Sequence, residues 1–201
     1  MNDLFVGAAK VSINPTPDMY PIPNKITDFG LEPMSQEAAY DEMNCRAIAI
    51  DNGRAKLLLL TFELAGAPEF PDYPADIAQA TGFCQDLVFI MGTHNHSAPR
   101  YRKPAPDEKA LAQWIERYEK LVYNAGITAC KQAAASMRPA RYGYGESISD
   151  INVNRNLLSY GNYWVEARNP AGYCDKTLSI IKLVDEEDKL IAALLNHPTH
   201  A

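Results

Sequence analysis

The pattern of apolar and polar positions predicts several short strands and one long helix. Apolar residues recur at three- and four-residue steps between Asp107 and Met137, which is the spacing of a helix with one buried face. Shorter apolar runs have the length of strands: Phe5–Ile13, Arg46–Ile50, Lys56–Leu64, Leu87–Met91, Arg141–Ser149, Thr177–Val184 and Lys189–Asn196. This mixture predicts an α/β fold of mixed α and β structure, in which layered mixed β-sheets are flanked by helices.

Turn residues separate the predicted elements. The sequence Asp51-Asn52-Gly53-Arg54 joins two of the strands, and Asn-Gly favours a tight hairpin, so these two strands are expected to pair antiparallel. A proline-rich loop is predicted over Asn14–Pro33. Because neither a linker nor an internal repeat is visible, residues 1–201 are predicted to form a single domain.

Composition and charge exclude several classes of protein. The apolar fraction of 47% and the charged fraction of 22% are those of a globular chain, not of a disordered or fibrous one. The net charge of −6 argues against nucleic acid as a partner. No apolar run approaches the roughly 18 residues of a membrane span, so no transmembrane segment is expected. The first residues lack the features of a leader, which predicts a cytoplasmic protein, or an exported one if a leader was removed. The oligomeric state stays open.

The four cysteines are widely scattered and form no Cys-x-x-Cys spacing. This distribution excludes a structural zinc ribbon. The thiols are expected to be reduced and mostly buried.

The four histidines form two tight pairs, and each pair follows a predicted strand. His94 and His96 come after Leu87–Met91, and His197 and His200 come after the strand that ends near Asn196. Strand ends that deliver imidazoles are a common construction for metal sites, and neutral imidazole suits zinc. The alternative is that these are polar loop residues satisfied by the backbone. On the residues alone, both interpretations stand.

A third segment alternates polar and apolar residues: Asn152 and Asn154 flank a valine, and Arg155 follows. It is either an edge strand with a solvated face or a strand that presents donors to a carbonyl or an oxyanion.

No Gly-x-Ser-x-Gly, P-loop or Gly-x-Gly-x-x-Gly sequence is present. A nucleophile elbow and nucleotide binding therefore have no support.

Four segments, in the same order, resemble the N-terminal catalytic domain of the neutral/alkaline ceramidase family. The first segment is the opening strand Val6–Pro15, with Asn14 in place of the usual Thr, and the second is the Thr-His-x-His-Ser-x-Pro signature at Thr93–Pro99. The third is the Asn-x-Asn-Arg segment Asn152–Arg155, which is followed by Asn169, Pro170 and Asp175 at the spacing that the family shows. The fourth is the second histidine segment, Asn196–Thr199.

The resemblance implies a zinc-dependent hydrolase that cleaves the amide bond of ceramide or another N-acyl compound with metal-activated water. His94 and His197 would ligate one zinc ion on which they converge. His96 and Arg155 would share a cleft and contact the substrate carbonyl or the developing oxyanion. Asn154 would bind substrate.

Members of the family are usually at least twice as long, and their remaining zinc ligands, a Glu and a Tyr, follow the second histidine segment. The chain therefore resembles an N-terminal portion of a bacterial relative, and alone it is expected to be a poor enzyme that self-associates through Lys189–Asn196. If these residues held every ligand, His96 and His200 would be the first further candidates. The alternatives are a non-catalytic ceramidase-like domain or fragment and a metallohydrolase with a different substrate.

Overall fold

The computed structural model describes residues 4–23, 35–36, 41–99 and 104–200. The chain divides into two compact units, Met1–Ala140 (unit 1) and Arg141–Ala201 (unit 2). The single domain predicted from the sequence stays a prediction beside this division. The elements are β1 (Phe5–Ser12), β2 (Asn44–Asp51), β3 (Lys56–Phe62), α1 (Tyr73–Thr81), β4 (Val88–Gly92), α2 (Lys109–Ala135), β5 (Arg138–Ile148), β6 (Asn156–Leu158), β7 (Trp164–Glu166), β8 (Thr177–Asp185) and β9 (Leu190–Asn196).

Unit 1 contains a mixed sheet in the order β4-β3-β2-β1, and the first residues of β5 pair with β1. Strands β1, β2 and β3 are antiparallel, whereas β4 runs parallel to β3 after a crossover through α1. The predicted hairpin is confirmed: Asp51 pairs with Lys56, Gly53 has a φ of 77°, and the Asn52 side chain accepts hydrogen bonds from the backbone of the turn. The turn sequence therefore sets the register of the two strands.

The core of unit 1 lies between the sheet and the helices. Alternate residues of β3, Leu58, Leu60 and Phe62, are fully buried, and α2 packs against β1 and β2. At Gly126 on α2 the helix approaches closely, because a Cβ there would lie 2.8 Å from a ring carbon of Phe62 and 2.1 Å from the hydroxyl oxygen of Tyr73. Glycine permits this contact, since a Cβ at this position would displace the side chains of Tyr73 and Phe62 or move the helix.

Helix α2 confirms the helix predicted from the apolar periodicity. Its Trp114 and Tyr118 are buried in the core, as the sequence indicates. Their polar tips are satisfied: the Trp114 indole donates to the carbonyl of Met19 (2.8 Å), and the Tyr118 hydroxyl donates to the carbonyl of Ile13 (3.0 Å). These bonds tie the segment after β1 to the helix.

Unit 2 consists of the rest of β5 with β8 and β9, and of the two-stranded hairpin β6-β7. Strands β8 and β9 are antiparallel. Among its described residues only Leu183 and Val184 are buried hydrophobics, whereas Leu190 and Leu195 on β9 are 59% and 66% exposed. The apolar surface expected on this last strand is therefore present.

The mixed α/β class predicted from the sequence is confirmed, but α1, β6 and β7 were not predicted.

Cys45 and Cys130 are buried free thiols as expected. Cys174 is half-buried, and the expectation of burial is wrong for Cys84, which is exposed. Within the described ranges, no helix has the length and apolar character needed to cross a membrane. Residues 24–34 of the proline-rich loop lie outside the described residues.

Candidate functional site

In unit 1, β4 ends in close contact with the loop that follows β3. A Cβ at Gly92 would lie 2.4 Å from the carbonyl carbon of Gly66 and 2.7 Å from its oxygen. Only glycine fits without moving one backbone from the other. This contact fixes the starting point of the histidine segment.

The residues that follow Gly92 stay hydrogen-bonded to the chain that leaves β3. The backbone N–H of Thr93 donates to the carbonyl of Phe62 (2.9 Å), and that of Asn95 donates to the carbonyl of Leu64 (3.1 Å). Between them, His94 has a φ of 62°, in the left-handed region. For a residue with a side chain this conformation costs about 1–2 kcal/mol, and the two flanking hydrogen bonds hold it in place.

The His94 ring is oriented by a main-chain carbonyl. Its Nδ1 lies 2.8 Å from the carbonyl oxygen of Ala65. Because a carbonyl oxygen only accepts, Nδ1 carries the hydrogen and, in the neutral ring, Nε2 carries the lone pair. A histidine held in this way is arranged as a metal ligand, since a hydrogen bond from the other ring nitrogen commonly fixes the tautomer of such ligands.

His96 lies against His94, with the ring centroids 4.8 Å apart and the ring planes at 90°. The Nε2 atoms of the two rings are 3.3 Å apart. This separation fits a hydrogen bond donated by His96, and it also equals the roughly 3.3 Å between two nitrogen ligands of a tetrahedral zinc ion. The tight histidine pair seen in the sequence is therefore also a pair of adjacent rings, and its first member, His94, is the left-handed residue.

A cleft of about 730 Å³ opens beside the same loop. Its wall includes Ala65, the residue whose carbonyl holds His94, and apolar side chains such as Leu64, Phe70 and Ile115. Glu119 also lines it, and partial burial raises the pKa of this carboxyl group. Glu69 and Glu116 line the cleft as well, so its wall combines apolar and acidic side chains.

In unit 2, His197 repeats the arrangement of His94. It directly follows β9, and its Nδ1 lies 3.0 Å from the carbonyl oxygen of Thr177 at the start of β8. Nδ1 therefore carries the hydrogen and Nε2 the lone pair. The Nε2 atom is buried and has no hydrogen-bond partner among the residues that the structure describes. Leaving such an atom unsatisfied costs about 1–3 kcal/mol, so a ligand at this position would offset a real penalty.

Three neighbours hold the backbone around His197. The side-chain NH₂ of Asn152 donates to the carbonyl of Asp175 (2.7 Å) and to the carbonyl of Pro198. The Asp175 carboxylate accepts the backbone N–H of Thr177 (2.9 Å). This bond, with one from the Thr177 hydroxyl and the nearby His197, holds the pKa of Asp175 below its usual range.

The Asn-x-Asn-Arg segment is a loop and not the strand that both interpretations of the sequence assumed. Asn154 donates to the carbonyl of Tyr173 (2.8 Å) and accepts the backbone N–H of Asn156 (2.9 Å), so its amide group braces the loop. Arg155 forms an ion pair with Glu166 (3.0 Å). The roles of Asn154 in substrate binding and of Arg155 at the carbonyl stay predictions.

His94 and His96 belong to unit 1, whereas Arg155 and His197 belong to unit 2. The convergence of His94 and His197 on one ion, and the shared cleft of His96 and Arg155, stay predictions. Asn152 was not predicted to hold His197. The one available signal was the resemblance, which groups the segment of Asn152 with Asp175.

No protein-family model matches the chain, and no curated protein does. Among solved structures, neutral ceramidase from Pseudomonas aeruginosa matches the whole chain with a TM-score of 0.68 at 17% sequence identity. A ceramidase complexed with C2 matches it with a TM-score of 0.66 at 17% identity. The chain has the fold of one part of neutral ceramidase. It spans 32% of the length of each of these structures, and the resemblance indicated by the sequence motifs is confirmed at the level of this ceramidase fold.

Proposed function

We propose that the protein contributes to a zinc-dependent hydrolase that cleaves the amide bond of an N-acyl compound, with ceramide as one candidate. One shared arrangement carries the proposal. His94 and His197 each follow a strand and donate from Nδ1 to a main-chain carbonyl, which places the lone pair of the neutral ring on Nε2. This is the way in which proteins hold metal-binding imidazoles.

The residues fit a zinc ion chemically. Neutral imidazole nitrogen is a standard zinc ligand, and the buried Nε2 of His197 needs a partner that no described residue supplies. When bound, zinc supplies a water whose pKa falls to about 7 and a positive charge that polarises a carbonyl group.

The other residues would act on the substrate carbonyl. If the lone pair of His94 is used for a ligand, the Nε2–H of His96 needs a new acceptor, and we propose the substrate carbonyl oxygen. Arg155 would exchange its exposed partner Glu166 for the developing oxyanion. A well-placed donor at an oxyanion contributes about 3 kcal/mol to transition-state stabilisation.

The cleft beside Ala65 would hold an apolar part of the substrate. Leu64, Phe70 and Ile115 would contact this part, in a wall that also carries Glu69, Glu116 and Glu119. An N-acyl compound would then place its chain in this cleft and its carbonyl group near the histidine pair.

Zinc affinity and hydrolysis, measured separately, test the proposal. Zinc is titrated against a chelating indicator, and hydrolysis of a fluorescent N-acyl substrate is followed in the longest reading frame that contains this chain. His94→Ala and His197→Ala should each abolish stoichiometric zinc binding. His96→Ala, which removes the ring N–H donor, should retain zinc and lose about 100- to 1,000-fold in kcat.

The possible outcomes separate the alternatives. Zinc binding that survives both His94→Ala and His197→Ala would overturn the ligand assignment. Loss of zinc in His96→Ala, or in a parallel His200→Ala variant, would move that histidine into the ligand set. A protein that binds zinc but hydrolyses no N-acyl substrate is either the non-catalytic domain or the metallohydrolase with a different substrate that the sequence left open.

A further inference from the structure

The side chain of Asn152 makes two hydrogen bonds whose direction can be assigned. Its partners are the carbonyl oxygens of Asp175 and Pro198. Because both partners only accept, the NH₂ group faces them, and Oδ1 points the other way. That Oδ1 is buried and has no hydrogen-bond partner in the part of the chain that the structure describes.

These bonds close a ring of contacts around His197. Asn152 holds Pro198, the residue after His197, and also holds Asp175. The Asp175 carboxylate binds the backbone N–H of Thr177, and the carbonyl of Thr177 accepts from His197 Nδ1. The imidazole is therefore fixed at its ring by one strand and at its backbone by Asn152.

The chemistry at position 152 suits asparagine in particular. Aspartate has the same shape, but it would place carboxylate oxygens against two carbonyl oxygens. Leucine has a similar size and donates nothing. Because Oδ1 is buried without a partner in the described part of the chain, the amide carries a desolvation cost that a purely apolar side chain would avoid. An amide kept at this cost indicates that its two donated bonds are needed.

We propose that Asn152 is a positioning residue for His197. It sets the path of the backbone on both sides of the Thr177 contact, and so keeps the hydrogen on Nδ1 and the Nε2 lone pair in one direction. The effect on zinc affinity rests on the proposed function, whereas the effect on the tautomer of His197 does not.

The test compares Asn152→Leu and Asn152→Asp with a matched control, Asn169→Leu. Asn169 also braces unit 2 through a side-chain bond to a carbonyl, that of Asn156 (2.8 Å), and none of its hydrogen bonds involves His197. The tautomer is read at pH 8 from the ring nitrogen shifts of His197 in metal-free protein. Zinc affinity is measured by competition with a chelator, and stability by urea unfolding.

Both Asn152 variants should lose the single Nδ1–H form and show exchange between two tautomers. Their Kd for zinc should rise about 10- to 100-fold, as is typical when a group that orients a metal ligand is removed. Asn169→Leu should keep the tautomer and stay within about threefold of the wild-type Kd, even at an equal loss of stability.

An unchanged tautomer in Asn152→Asp, the variant that best preserves shape, would overturn the inference. Equal changes in the Asn152 and Asn169 variants would also overturn it, because they would show general loosening of the unit. A third result is that the tautomer changes only in the Asn152 variants while the wild-type protein binds no zinc. This result would support the positioning role and refute the zinc site.

Discussion

Replacing Gly92 by alanine should damage the histidine site of unit 1 through the backbone alone. The added Cβ would lie 2.4 Å from the carbonyl carbon of Gly66, whereas two carbon atoms need about 3.5 Å. The end of β4 and the loop after β3 must therefore separate by about 1 Å. The matched control is Gly66→Ala, because a Cβ at Gly66 meets nothing within 4 Å.

The loss in the free energy of unfolding follows from this displacement. Forcing a methyl group into a packed contact costs about 1–3 kcal/mol. A shift of about 1 Å also stretches the 2.9 Å bond from Thr93 and the 2.8 Å bond from His94 to Ala65 beyond hydrogen-bonding range, at about 1 kcal/mol each. We expect Gly92→Ala to lose about 3–5 kcal/mol relative to Gly66→Ala. The entropic gain of a Gly→Ala change in the unfolded chain is common to both variants and cancels.

Urea unfolding followed by tryptophan fluorescence measures this difference. The chain has two tryptophans, of which Trp114 is buried in the core of unit 1 and Trp164 is exposed in unit 2. In a Trp164→Phe background the signal reports unit 1. The ring nitrogen shifts of His94, recorded on the same samples, report whether Nδ1 still carries the hydrogen.

Two results would refute this reasoning. If Gly92→Ala and Gly66→Ala differ by less than about 0.5 kcal/mol, the close contact does not constrain the fold. If Gly92→Ala is destabilised but His94 keeps its Nδ1–H form, the contact supports the fold without positioning the ring.

Two further predictions concern titratable groups in the wild-type protein. Burial raises the pKa of Cys45 to about 11 and that of Cys130 to about 12. At pH 8 a thiol reagent should therefore modify exposed Cys84 and half-buried Cys174 first, and the buried pair only on unfolding. Fast modification of all four thiols would contradict this prediction. Partial burial raises the pKa of Glu119 in the folded state, so the carboxyl group favours folding when protonated and loses that contribution as the pH rises through its folded pKa. Glu119→Gln should therefore be more stable than wild type at pH 7 in urea unfolding, with the difference fading below about pH 4, whereas a difference independent of pH would contradict the assignment.

The parts of the fold that the sequence predicted are those with a long periodic pattern. Helix α2 spans 27 residues, and its buried stripe is visible in the apolar spacing. The strands before His94 and His197 were predicted from their apolar runs, and so was the pairing of His94 with His96. These signals are local, so one sequence is enough to carry them.

The missed elements have weak local signals. Strands β6 and β7 have three residues each, too few to show a period of two. Helix α1 has nine residues and buries only two of them, so its apolar stripe is short. It is held by tertiary contacts such as the bond from the Tyr73 hydroxyl to the carbonyl of Tyr123, 50 residues away.

The orientation of the candidate ligands also lay beyond the sequence. His94 bonds to a carbonyl 29 residues earlier, and His197 bonds to one 20 residues earlier. A backbone carbonyl has no identity in a sequence, so nothing marks Ala65 or Thr177 as a partner. The loop at Asn152 was predicted as a strand because its polar and apolar residues alternate. A loop whose polar side chains bond to backbone groups can show the same alternation.

The use of main-chain carbonyls to hold both imidazoles bears on how such a site can persist as sequences diverge. A substitution at position 65 or 177 exchanges the side chain but leaves the carbonyl oxygen in place. Proline at 177 is the exception, because the N–H of Thr177 is bonded to Asp175. The positions that hold the rings can thus accept many substitutions while the geometry is kept, and selection on the site would act on the histidines, on Gly92 and on Asn152. A search for related sites by residue identity would overlook these partners, whereas a search for imidazoles that donate to a carbonyl beside a strand end would find them.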